Sequence, residues 1–398
     1  MTASDARLEP GDPSAVAAGL VRGFRASYGR EPEGCFVAPG RVNLIGEHVD
    51  YNEGRCLPIA LPHGTYVAAA ARDDDAVRLT SMQQDRSWQG SLSRVGPGEV
   101  TGWPAYAAGV AWALQAADVR VPGFDLLVDS RVPIGAGLSS SAALECAVAL
   151  ALCALAGVQV DGPQRRRLVD VCVRAEGEVA GAPTGGMDQA VSLLARQGHA
   201  LLLDCRDGST GRVRWAPEDV GLALLVVDTG VSHRLTEGGY GDRRAECAEA
   251  AHLLGVRSLR ECHPSPGLDV LDRVLDQTLR RRARHVLTEM ARVDRAVACL
   301  EQGDWVGLGA AFAESHTSLR EDFEVSCPEL DTVVETATAA GAVGARMTGG
   351  GFGGSAIVLA PQDRLPSIAA GVCEQFARRS WRAPTFLEAP AGAGARRL

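Results

Sequence analysis

The most restrictive part of the chain is a strand-like run followed by a serine-containing loop and a helix. Residues 124–128 are apolar, residues 132–141 carry two glycines and end in three consecutive serines, and residues 142–156 are rich in alanine and leucine. Glycines permit tight turns and close contact with a ligand. The first amides of a helix lack internal partners and favour phosphate. Serine is also a common N-cap, so this segment alone predicts either a phosphate-binding loop or a plain helix cap.

The composition decides what kind of phosphate loop this can be. All 40 basic residues are arginine, because the chain contains no lysine. A loop of the GxxxxGK[ST] type needs its lysine to reach the phosphates, so that type is excluded. Any phosphate chemistry would therefore depend on backbone amides, a metal ion and arginine.

The chain of 398 residues is longer than one hydrophobic core usually supports, so two packed domains are expected. Its content of 46% hydrophobic and 22% charged residues is typical of a folded globular protein. Residues 206–220 contain two glycines and a proline, which interrupt the neighbouring patterns. We therefore predict a boundary there, with domains at residues 1–207 and 208–398.

The charge and the cysteines exclude several classes of protein. The net charge of −9 argues against nucleic-acid binding, and the dense arginine cluster at residues 280–284 is better explained as a solvated helix face. The 11 cysteines occur singly, without a CxxC pair, which argues against a zinc site or a disulfide framework. No uninterrupted apolar run is long enough to span a membrane, and residues 1–18 lack the features of a signal peptide. We therefore expect a cytoplasmic protein with reduced thiols.

A second polar segment follows an apolar run that ends in Gly46. Glu47, His48 and Asp50 lie within the next four residues. These side chains combine hydrogen-bond acceptors and donors and could bind several hydroxyl groups, as in a sugar site. They could equally be metal ligands or belong to a surface turn.

Three further features could bring chemistry to a ligand. Asp188 follows a loop of proline and glycine, where an acid is either a helix cap or a catalytic group held on a rigid turn. Residues 349–354 include five glycines, and because each costs backbone entropy on ordering, close approach to a ligand or another backbone is expected. Trp103 and Tyr106 share one face of a predicted helix, either as core residues or as a stacking surface for a base.

Local patterns predict much of the secondary structure. Helices are expected at residues 15–28, 103–117, 142–156, 163–180, 240–254, 283–301, 304–319 and 329–340. Strands are expected at residues 65–71, 76–81, 124–128, 199–205, 221–228 and 356–359. The first two strands are separated by Arg72 and three aspartates, which is typical of a β-hairpin.

Three of these segments together resemble the GHMP small-molecule kinases, and within them the galactokinase family. Residues 39–52 resemble the galactokinase signature, residues 133–143 the phosphate loop of the superfamily, and residues 344–355 its C-terminal glycine-rich motif. Further similarity in residues 314–331 and 391–393 extends the resemblance over nearly the whole chain. The first motif is the specific one, because most other members of the superfamily lack Gly-Glu-His-x-Asp-Tyr.

The resemblance implies an α+β, two-lobed GHMP kinase fold with the active site in the cleft between the lobes. The N-terminal lobe would be a ribosomal-protein-S5-like domain and the C-terminal lobe a ferredoxin-like α/β sandwich. The implied reaction transfers the γ-phosphoryl group of ATP to the C1 hydroxyl of α-D-galactose, with Mg²⁺ as cofactor, and gives α-D-galactose 1-phosphate. We expect a monomer whose partners are galactose and ATP, with no nucleic acid and no membrane.

The resemblance also assigns roles to individual residues. Asp188 would act as base toward the sugar hydroxyl or orient it, and Arg41 beside it would keep the aspartate ionised and stabilise the transferring phosphoryl group. Contacts with the sugar would come from Glu47, His48, Asp50, Gly185 and Tyr240. The nucleotide would be held by Gly135, Ala136, Gly137, Leu138, Ser139, Ser140 and Ser141, with Trp103 and Tyr106 near the adenine. The Mg²⁺ ligands would be Ser141 and Glu176.

The chain departs from the family pattern in two places, and two alternative functions remain. Residues 228–233 differ from the commoner, asparagine-containing version of the family, so the resemblance assigns them no role. Where many galactokinases have Cys-Gly-Ile-Met-Asp, residues 184–188 read Thr-Gly-Gly-Met-Asp, and the extra glycine is expected to loosen the loop. The first alternative is a GHMP kinase for another sugar, such as N-acetylgalactosamine, arabinose or galacturonate. The second is a non-enzymatic sugar sensor, but such sensors lack the Ser-Ala pair that Ser141 and Ala142 provide here.

Overall fold

The computed structural model describes residues 6–84, 86–182, 184–231, 239–265 and 267–398. The strands are β1 Gly34–Asn43, β2 Arg55–Cys56, β3 Pro58–Arg72, β4 Ala76–Ser81, β5 Trp88–Ser91, β6 Gly123–Ser130, β7 His199–Asp204, β8 Ser209–Arg214, β9 Leu222–Asp228, β10 Gly344–Thr348, β11 Ser355–Pro361, β12 Thr385–Glu388 and β13 Arg396–Arg397. The α-helices are α1 Pro13–Tyr28, α2 Trp103–Ala116, α3 Ser140–Leu155, α4 Gly162–Arg174, α5 Met187–Leu194, α6 Gly239–Leu254, α7 Gln277–Gln302, α8 Trp305–Glu321, α9 Pro328–Ala339 and α10 Leu365–Arg378.

Seven of the eight helices predicted from the sequence are present as single helices with shifted ends, the largest shift being the start of α7 at Gln277 instead of residue 283. α1 shows why such local signals work. Asp12 caps it by accepting a hydrogen bond from the Ala15 amide, and Gly29 ends it in the left-handed conformation. Val16 and Leu20, one turn apart, are buried on the face that packs on the sheet.

The helix expected over residues 163–180 is divided. α4 ends at Arg174, and residues 175–179 form a π-helical turn. Such turns occur frequently at functional sites. This one carries Glu176, whose side chain is buried.

The larger sheet has the strand order β13-β1-β3-β6-β4-β5 and is antiparallel except between β4 and β6. Successive side chains of a strand point to opposite faces of the sheet. Val37, Tyr66 and Leu127 pack with α1 on one face, whereas Phe36 and Val67 pack with α2 and α3 on the other. The sheet is therefore the middle layer of the N-terminal lobe.

The predicted hairpin between residues 65–71 and 76–81 is wrong. β6 lies between β3 and β4, antiparallel to the first and parallel to the second. Its apolar side chains are buried, and Asp125 of β6 accepts hydrogen bonds from Arg72 of β3 and Arg78 of β4, so arginines of both neighbouring strands bind the inserted strand. The turn crosses the end of β6 at Gly123, where a Cβ atom would lie 2.1 Å from the Asp74 carbonyl oxygen.

The second sheet has the order β10-β11-β9-β12 and is antiparallel, with α8 and α9 packed against it. A third, small sheet joins β2, β7 and β8. β8 occupies part of the segment in which we placed the domain boundary, and it pairs with β7 over its whole length. The division at residue 207 stays a prediction.

The two larger sheets share one hydrophobic cluster. Ile59 of β3, Val226 of β9, Phe312 of α8 and Ile357 of β11 are all buried in it. The C-terminal segment returns to the first sheet, where β13 pairs with β1. The loops at the ends of β1, β6 and β10 are thereby held next to one another. No helix within the described ranges is both long and apolar enough to cross a membrane.

Candidate active site

The loop between β6 and α3 is fixed through its carbonyl groups. The Arg41 amide donates to the Leu138 carbonyl at 3.1 Å, and Arg41 Nη1 donates to the Gly137 carbonyl at 2.6 Å. From the opposite side, Ser355 Oγ donates to the Ala136 carbonyl at 2.7 Å. The three motifs suggested by the sequence are therefore in contact, with the first and third holding the middle one.

The same loop leaves its amide groups without partners. No carbonyl or side chain in the described ranges accepts a hydrogen bond from the amides of residues 135–139. The side chains of Ala136 and Leu138 are buried, whereas Gly135 is exposed and has a φ of 78°. A row of free amides at the start of a helix is suited to bind phosphate groups.

The start of α3 decides between the two interpretations of the serines. Ser139 is the N-cap residue, but its φ of 61° is left-handed and its side chain makes no capping hydrogen bond. Its hydroxyl instead donates to Asp188 Oδ2 at 2.5 Å. The plain-cap interpretation is therefore wrong, and the first amides of α3, including those of Ser140 and Ser141, stay available to a ligand.

Arg41 and Asp188 form a two-pronged ion pair beside this loop. Arg41 Nε lies 2.8 Å from Asp188 Oδ1, and Nη2 lies 3.0 Å from Oδ2. Such paired hydrogen bonds fix both the distance and the plane of the two groups. Asp188 is in the first turn of α5, which begins after Gly186 at a φ of 87°. The extra glycine of this chain thus adopts a conformation that favours glycine, at the point where α5 begins.

Asp50 contacts the loop that precedes Asp188. A Cβ atom at Gly185 would lie 2.1 Å from Asp50 Oδ2, so only glycine leaves room for this carboxylate. Burial, aided by the negative charge of Asp188, raises the pKa of Asp50 to about 6. Gly185 therefore acts by making space for Asp50.

His48 joins residues 46–50, here called the signature loop, to the glycine-rich motif. Its Nε2 lies 3.2 Å from the Gly350 carbonyl, to which it can only donate, so Nδ1 accepts from the Tyr51 hydroxyl at 2.9 Å. Burial, with a smaller contribution from His285, lowers the pKa of His48 to about 3, and the ring is neutral. Both ring nitrogens are engaged by the protein.

Glu47 is also largely occupied by protein partners. Its Oε1 accepts from the Thr348 hydroxyl at 3.0 Å and from the Gly349 amide at 2.8 Å. Its Oε2 accepts from Asn43 Nδ2 at 2.5 Å. Because each carboxylate oxygen accepts about two hydrogen bonds, Oε2 keeps capacity for one more donor.

Tyr240, at the start of α6, completes this side of the site. Its ring centroid lies 5.5 Å from that of His48 and 5.6 Å from that of Tyr51. Within the described part of the chain, its hydroxyl has no hydrogen-bond partner. The tyrosine therefore brings an aromatic surface and a free hydroxyl group to the signature loop.

The sequence did not indicate that α7 holds the backbone of the signature loop. Glu289 Oε1 accepts from the Gly46 amide at 2.9 Å, and His285 Nε2 lies 3.2 Å from the Glu47 carbonyl, to which it can only donate. Arg346 of β10 is fully buried and donates from Nη1 to the Leu44 carbonyl at 2.8 Å. Charged groups from two elements of the C-terminal lobe thus fix a loop of the N-terminal lobe.

A set of oxygen atoms surrounds the predicted metal ligands. Gln189 Nε2 lies 2.5 Å from Glu176 Oε2 and 3.2 Å from Glu145 Oε2. Burial raises the pKa of Glu176 to about 7, and the Ser141 hydroxyl lies close enough to Glu176 to lower this pKa in part. Glu145 Oε1 is buried without a hydrogen-bond partner. Hydroxyl and carboxylate oxygens of this kind fit Mg²⁺.

The described ranges contain no group of three His, Cys, Asp or Glu side chains that could enclose a metal ion. Mg²⁺ does not need such a group. It is usually bound through one or two carboxylates, with water and substrate phosphates as its remaining ligands. Ser141 and Glu176 therefore remain suitable ligands beside a phosphate-binding loop.

A cavity of about 210 Å³ adjoins the serines of α3. Trp103 and Tyr106 line it together with Ser140 and Ser141. The sequence did not point to its other polar wall residues, which are Thr65, Ser81, Gln83, Gln84 and Ser130. An aromatic surface next to the free amides of α3 is suited to a nucleotide, with the base on the aromatic residues and the phosphates on the loop.

Family models match three parts of the chain. The galactokinase galactose-binding signature matches residues 22–71, the GHMP kinase N-terminal domain matches residues 105–196, and the GHMP kinase C-terminal domain matches residues 296–378. These ranges include all three motifs on which the sequence resemblance was based.

Known proteins of this family align with almost the whole chain. The galactokinase of Streptomyces coelicolor is 50% identical over 387 residues, which are 96% of this chain and 99% of the relative. The galactokinase of Mycobacterium tuberculosis is 44% identical over 360 residues, which are 88% of this chain and 98% of the relative.

Solved structures confirm the predicted α+β GHMP kinase fold. The crystal structure of Lactococcus lactis galactokinase complexed with galactose has a TM-score of 0.90 at 32% identity, covering 96% of this chain and 100% of that one. The mevalonate kinase of Methanococcus jannaschii shares the fold, with a TM-score of 0.64 at 15% identity, covering 92% of this chain and 98% of that one. The chain therefore belongs to the galactokinases of the GHMP kinase superfamily, enzymes that phosphorylate galactose with ATP.

Proposed function

We propose that the chain transfers the γ-phosphoryl group of ATP to the C1 hydroxyl of α-D-galactose, giving α-D-galactose 1-phosphate and ADP, with Asp188 and Arg41 at the reacting centre. The observation that carries this proposal is the position of their ion pair. On one side, Asp188 accepts a hydrogen bond from Ser139 of the phosphate loop, whose amides are free. On the other side, the loop that leads to Asp188 contacts the Asp50 carboxylate at Gly185. A donor phosphate and an acceptor hydroxyl can therefore meet at one carboxylate.

The proposed chemistry divides between these groups. An oxygen of Asp188 accepts the proton of the sugar hydroxyl as that hydroxyl attacks the γ-phosphorus, and the bond from the γ-phosphorus to the bridging oxygen of ADP breaks. The guanidinium of Arg41 holds Asp188 in place and offsets negative charge on the phosphoryl group in transfer. The amides of residues 135–141 hold the nucleotide phosphates. Mg²⁺, held by Ser141 and Glu176, would neutralise charge on those phosphates.

The choice of sugar is assigned to the signature loop and its neighbours. We propose that Asp50, Tyr240 and the remaining capacity of Glu47 bind sugar hydroxyls, and that His48 positions the loop against the sugar. Buried groups of this kind reject analogues that lack or invert a hydroxyl, because the protein group is then left unpaired. Adenine is assigned to the cavity lined by Trp103 and Tyr106.

Replacing Gly185 with alanine is expected to raise the KM for galactose by about tenfold or more, because a charged hydrogen-bonding group is displaced. The new Cβ would overlap Asp50 Oδ2 and force that carboxylate to move. The KM for ATP should change little. Gly19→Ala is the matched control, since the nearest atom there is the flexible end of Arg22 at 3.8 Å. An unchanged KM for galactose in Gly185→Ala would contradict the proposed role of Asp50.

The activity should also depend on pH through Asp50. Its pKa of about 6 means that the carboxylate is ionised above that pH and becomes protonated below it. A protonated carboxyl loses acceptor capacity, so kcat/KM for galactose is expected to fall as the pH decreases through about 6. At saturating Mg²⁺, which keeps Glu176 ionised, Asp50→Asn should have a lower plateau and lack this decline. An Asp50→Asn profile that keeps the same decline would show that another group causes it.

Initial rates on a panel of sugars test the proposed function. With ATP and Mg²⁺, galactose should have the highest kcat/KM. The kcat/KM values for glucose, N-acetylgalactosamine, arabinose and galacturonate should be lower by about 100-fold or more. Removal of Mg²⁺ by a chelator should abolish the activity. Strong turnover of another sugar with none of galactose would favour a kinase for that sugar. Galactose binding without turnover of any sugar would favour a sensor.

We further propose that the enzyme works as a monomer in the cytoplasm. All 11 cysteines are free, as expected in a reducing compartment. The large apolar side chains that are exposed in the described ranges occur singly along the sequence, not in runs. Light scattering coupled to size exclusion should give the mass of one chain, and the mass of a dimer would contradict this assignment.

A further inference from the structure

A large second cavity lies where α4, the end of α5, β8 and the C-terminal segment meet. Its volume is about 1250 Å³, and it shares no lining residue with the nucleotide cavity. Five of its lining residues are arginines, namely Arg165, Arg166, Arg196, Arg212 and Arg396. None of the described residues that line it is acidic. The walls therefore concentrate positive charge in a chain whose net charge is −9.

These five arginines have no acidic partners in the described ranges. By contrast, Arg214 lies two residues after Arg212 on β8, outside the cavity, and pairs with Asp219 at 2.5 Å. Several like charges around one space repel each other, and an anion placed among them is attracted by all of them. The arginines on its walls therefore give the cavity a positive charge that no acidic residue in the described part of the walls neutralises.

Arg165 is held in a fixed position at the wall. Its Nη1 donates to the Leu193 carbonyl at 3.0 Å and to the Ala395 carbonyl at 2.7 Å. Its Nε and Nη2 groups make no hydrogen bond within the described part of the chain, so they can donate to a ligand. Burial lowers the pKa of Arg165, and no neighbouring carboxylate offsets this effect. A preorganised, unpaired guanidinium loses little freedom when it binds an oxyanion.

The other walls complete a site for more than one anionic group. Arg212 lies opposite Leu201 in the β7–β8 ladder, and both residues line the cavity. Arg166 follows Arg165 near the start of α4, where the helix dipole adds positive potential. A single phosphate could pair with only some of these arginines. The planar guanidinium group binds phosphate oxygens in pairs, which makes phosphoryl groups the best-matched anions.

We propose that this cavity binds a small molecule carrying at least two phosphoryl groups, at a site separate from the active site. The ligand could be an inorganic polyphosphate or a sugar bisphosphate. Calorimetric titrations with tripolyphosphate and with fructose 1,6-bisphosphate distinguish these two kinds of ligand. The enzyme is first saturated with galactose, excess Mg²⁺ and a non-hydrolysable ATP analogue, so that the active site is filled.

The Arg166→Ala/Arg212→Ala double variant provides the test, because both side chains are exposed and have no partner in the described ranges. We expect at least one probe to bind the wild type saturably, and the double variant to bind it about tenfold more weakly or worse. Arg214→Ala removes one charge from the same strand and should bind like the wild type. Arg165→Gln should also weaken binding. The absence of saturable binding of both probes, or equal binding by wild type and double variant, would overturn the proposal.

Discussion

Asp188→Asn is expected to lower kcat for galactose by about 100-fold or more, the range found for the loss of a general base. Asparagine has the size of aspartate and can still accept a hydrogen bond from Arg41, but it cannot accept the proton of the sugar hydroxyl. Because this interaction develops in the transition state, kcat should fall while the affinity for galactose changes little. A coupled assay for ADP gives kcat, and calorimetry gives the affinity for galactose.

The matched control for this variant is Asp219→Asn. Asp219 also pairs with an arginine, Arg214, but both side chains are exposed and distant in sequence from the three motifs. Its kcat should equal that of the wild type. A folded Asp188→Asn enzyme with near wild-type kcat would remove Asp188 from the proposed proton transfer.

Glu289→Ala is expected to lower the free energy of unfolding by about 3–5 kcal/mol, the usual cost of breaking a buried ion pair from one side. Glu289 is fully buried, lies 2.7 Å from Arg292 Nε and 3.8 Å from Arg346 Nη2, and also accepts from the Ser315 hydroxyl at 2.8 Å. Without it, two buried guanidinium groups lose a counter-charge. The midpoint of urea unfolding measures the effect.

Two further variants separate charge from shape at this position. Glu289→Gln keeps the shape and part of the hydrogen bonding, so its loss should be smaller than that of Glu289→Ala. Glu301→Ala removes an exposed glutamate from the same helix and should change the free energy of unfolding by less than about 0.5 kcal/mol. A loss below about 1 kcal/mol for Glu289→Ala would show that the network is not needed for stability.

Local patterns in the sequence predicted most of the helices, because the apolar spacing of a helix is set by neighbours in the chain. α1 was expected at residues 15–28 and lies at Pro13–Tyr28, and the structure adds its capping residues, Asp12 and Gly29. The hairpin failed for the opposite reason. The turn residues after Arg72 predict that the chain reverses direction. They do not predict that another strand is inserted between the two strands they connect. The partner of β3 and β4 is β6, more than forty residues further along the chain.

The candidate site shows the same limit. The three motifs could be recognised singly, and their contacts through Arg41 and Ser355 followed once the chain was folded. The charged groups that hold the signature loop could not be placed from the sequence. Glu289, for example, is 243 positions away from Gly46, whose amide donates to it. A signal for them existed in α7. His285, Glu289 and Arg292 recur with helical spacing, which places three buried polar groups on one face of the helix.

The serine stretch gained a more specific interpretation from the structure. Its sequence was compatible with a phosphate-binding loop or with a plain helix cap. In the structure the carbonyls of the loop are bound on both sides, and Ser139 contacts Asp188 instead of capping α3. The cost of ordering these glycines is offset by contacts between motifs that are distant in sequence. Such contacts arise only in the folded chain.

Phosphorus NMR of purified enzyme with galactose, ATP and Mg²⁺ is the decisive experiment for the proposed phosphoryl transfer, because it follows both the γ-phosphoryl group and its site of attachment. The wild type should transfer the γ-phosphoryl group to galactose, forming one ADP for each α-D-galactose 1-phosphate, and Asp188→Asn should form almost none in the same time. Attachment at another hydroxyl, such as that of C6, or release of free phosphate instead of a sugar phosphate, would contradict the proposed transfer.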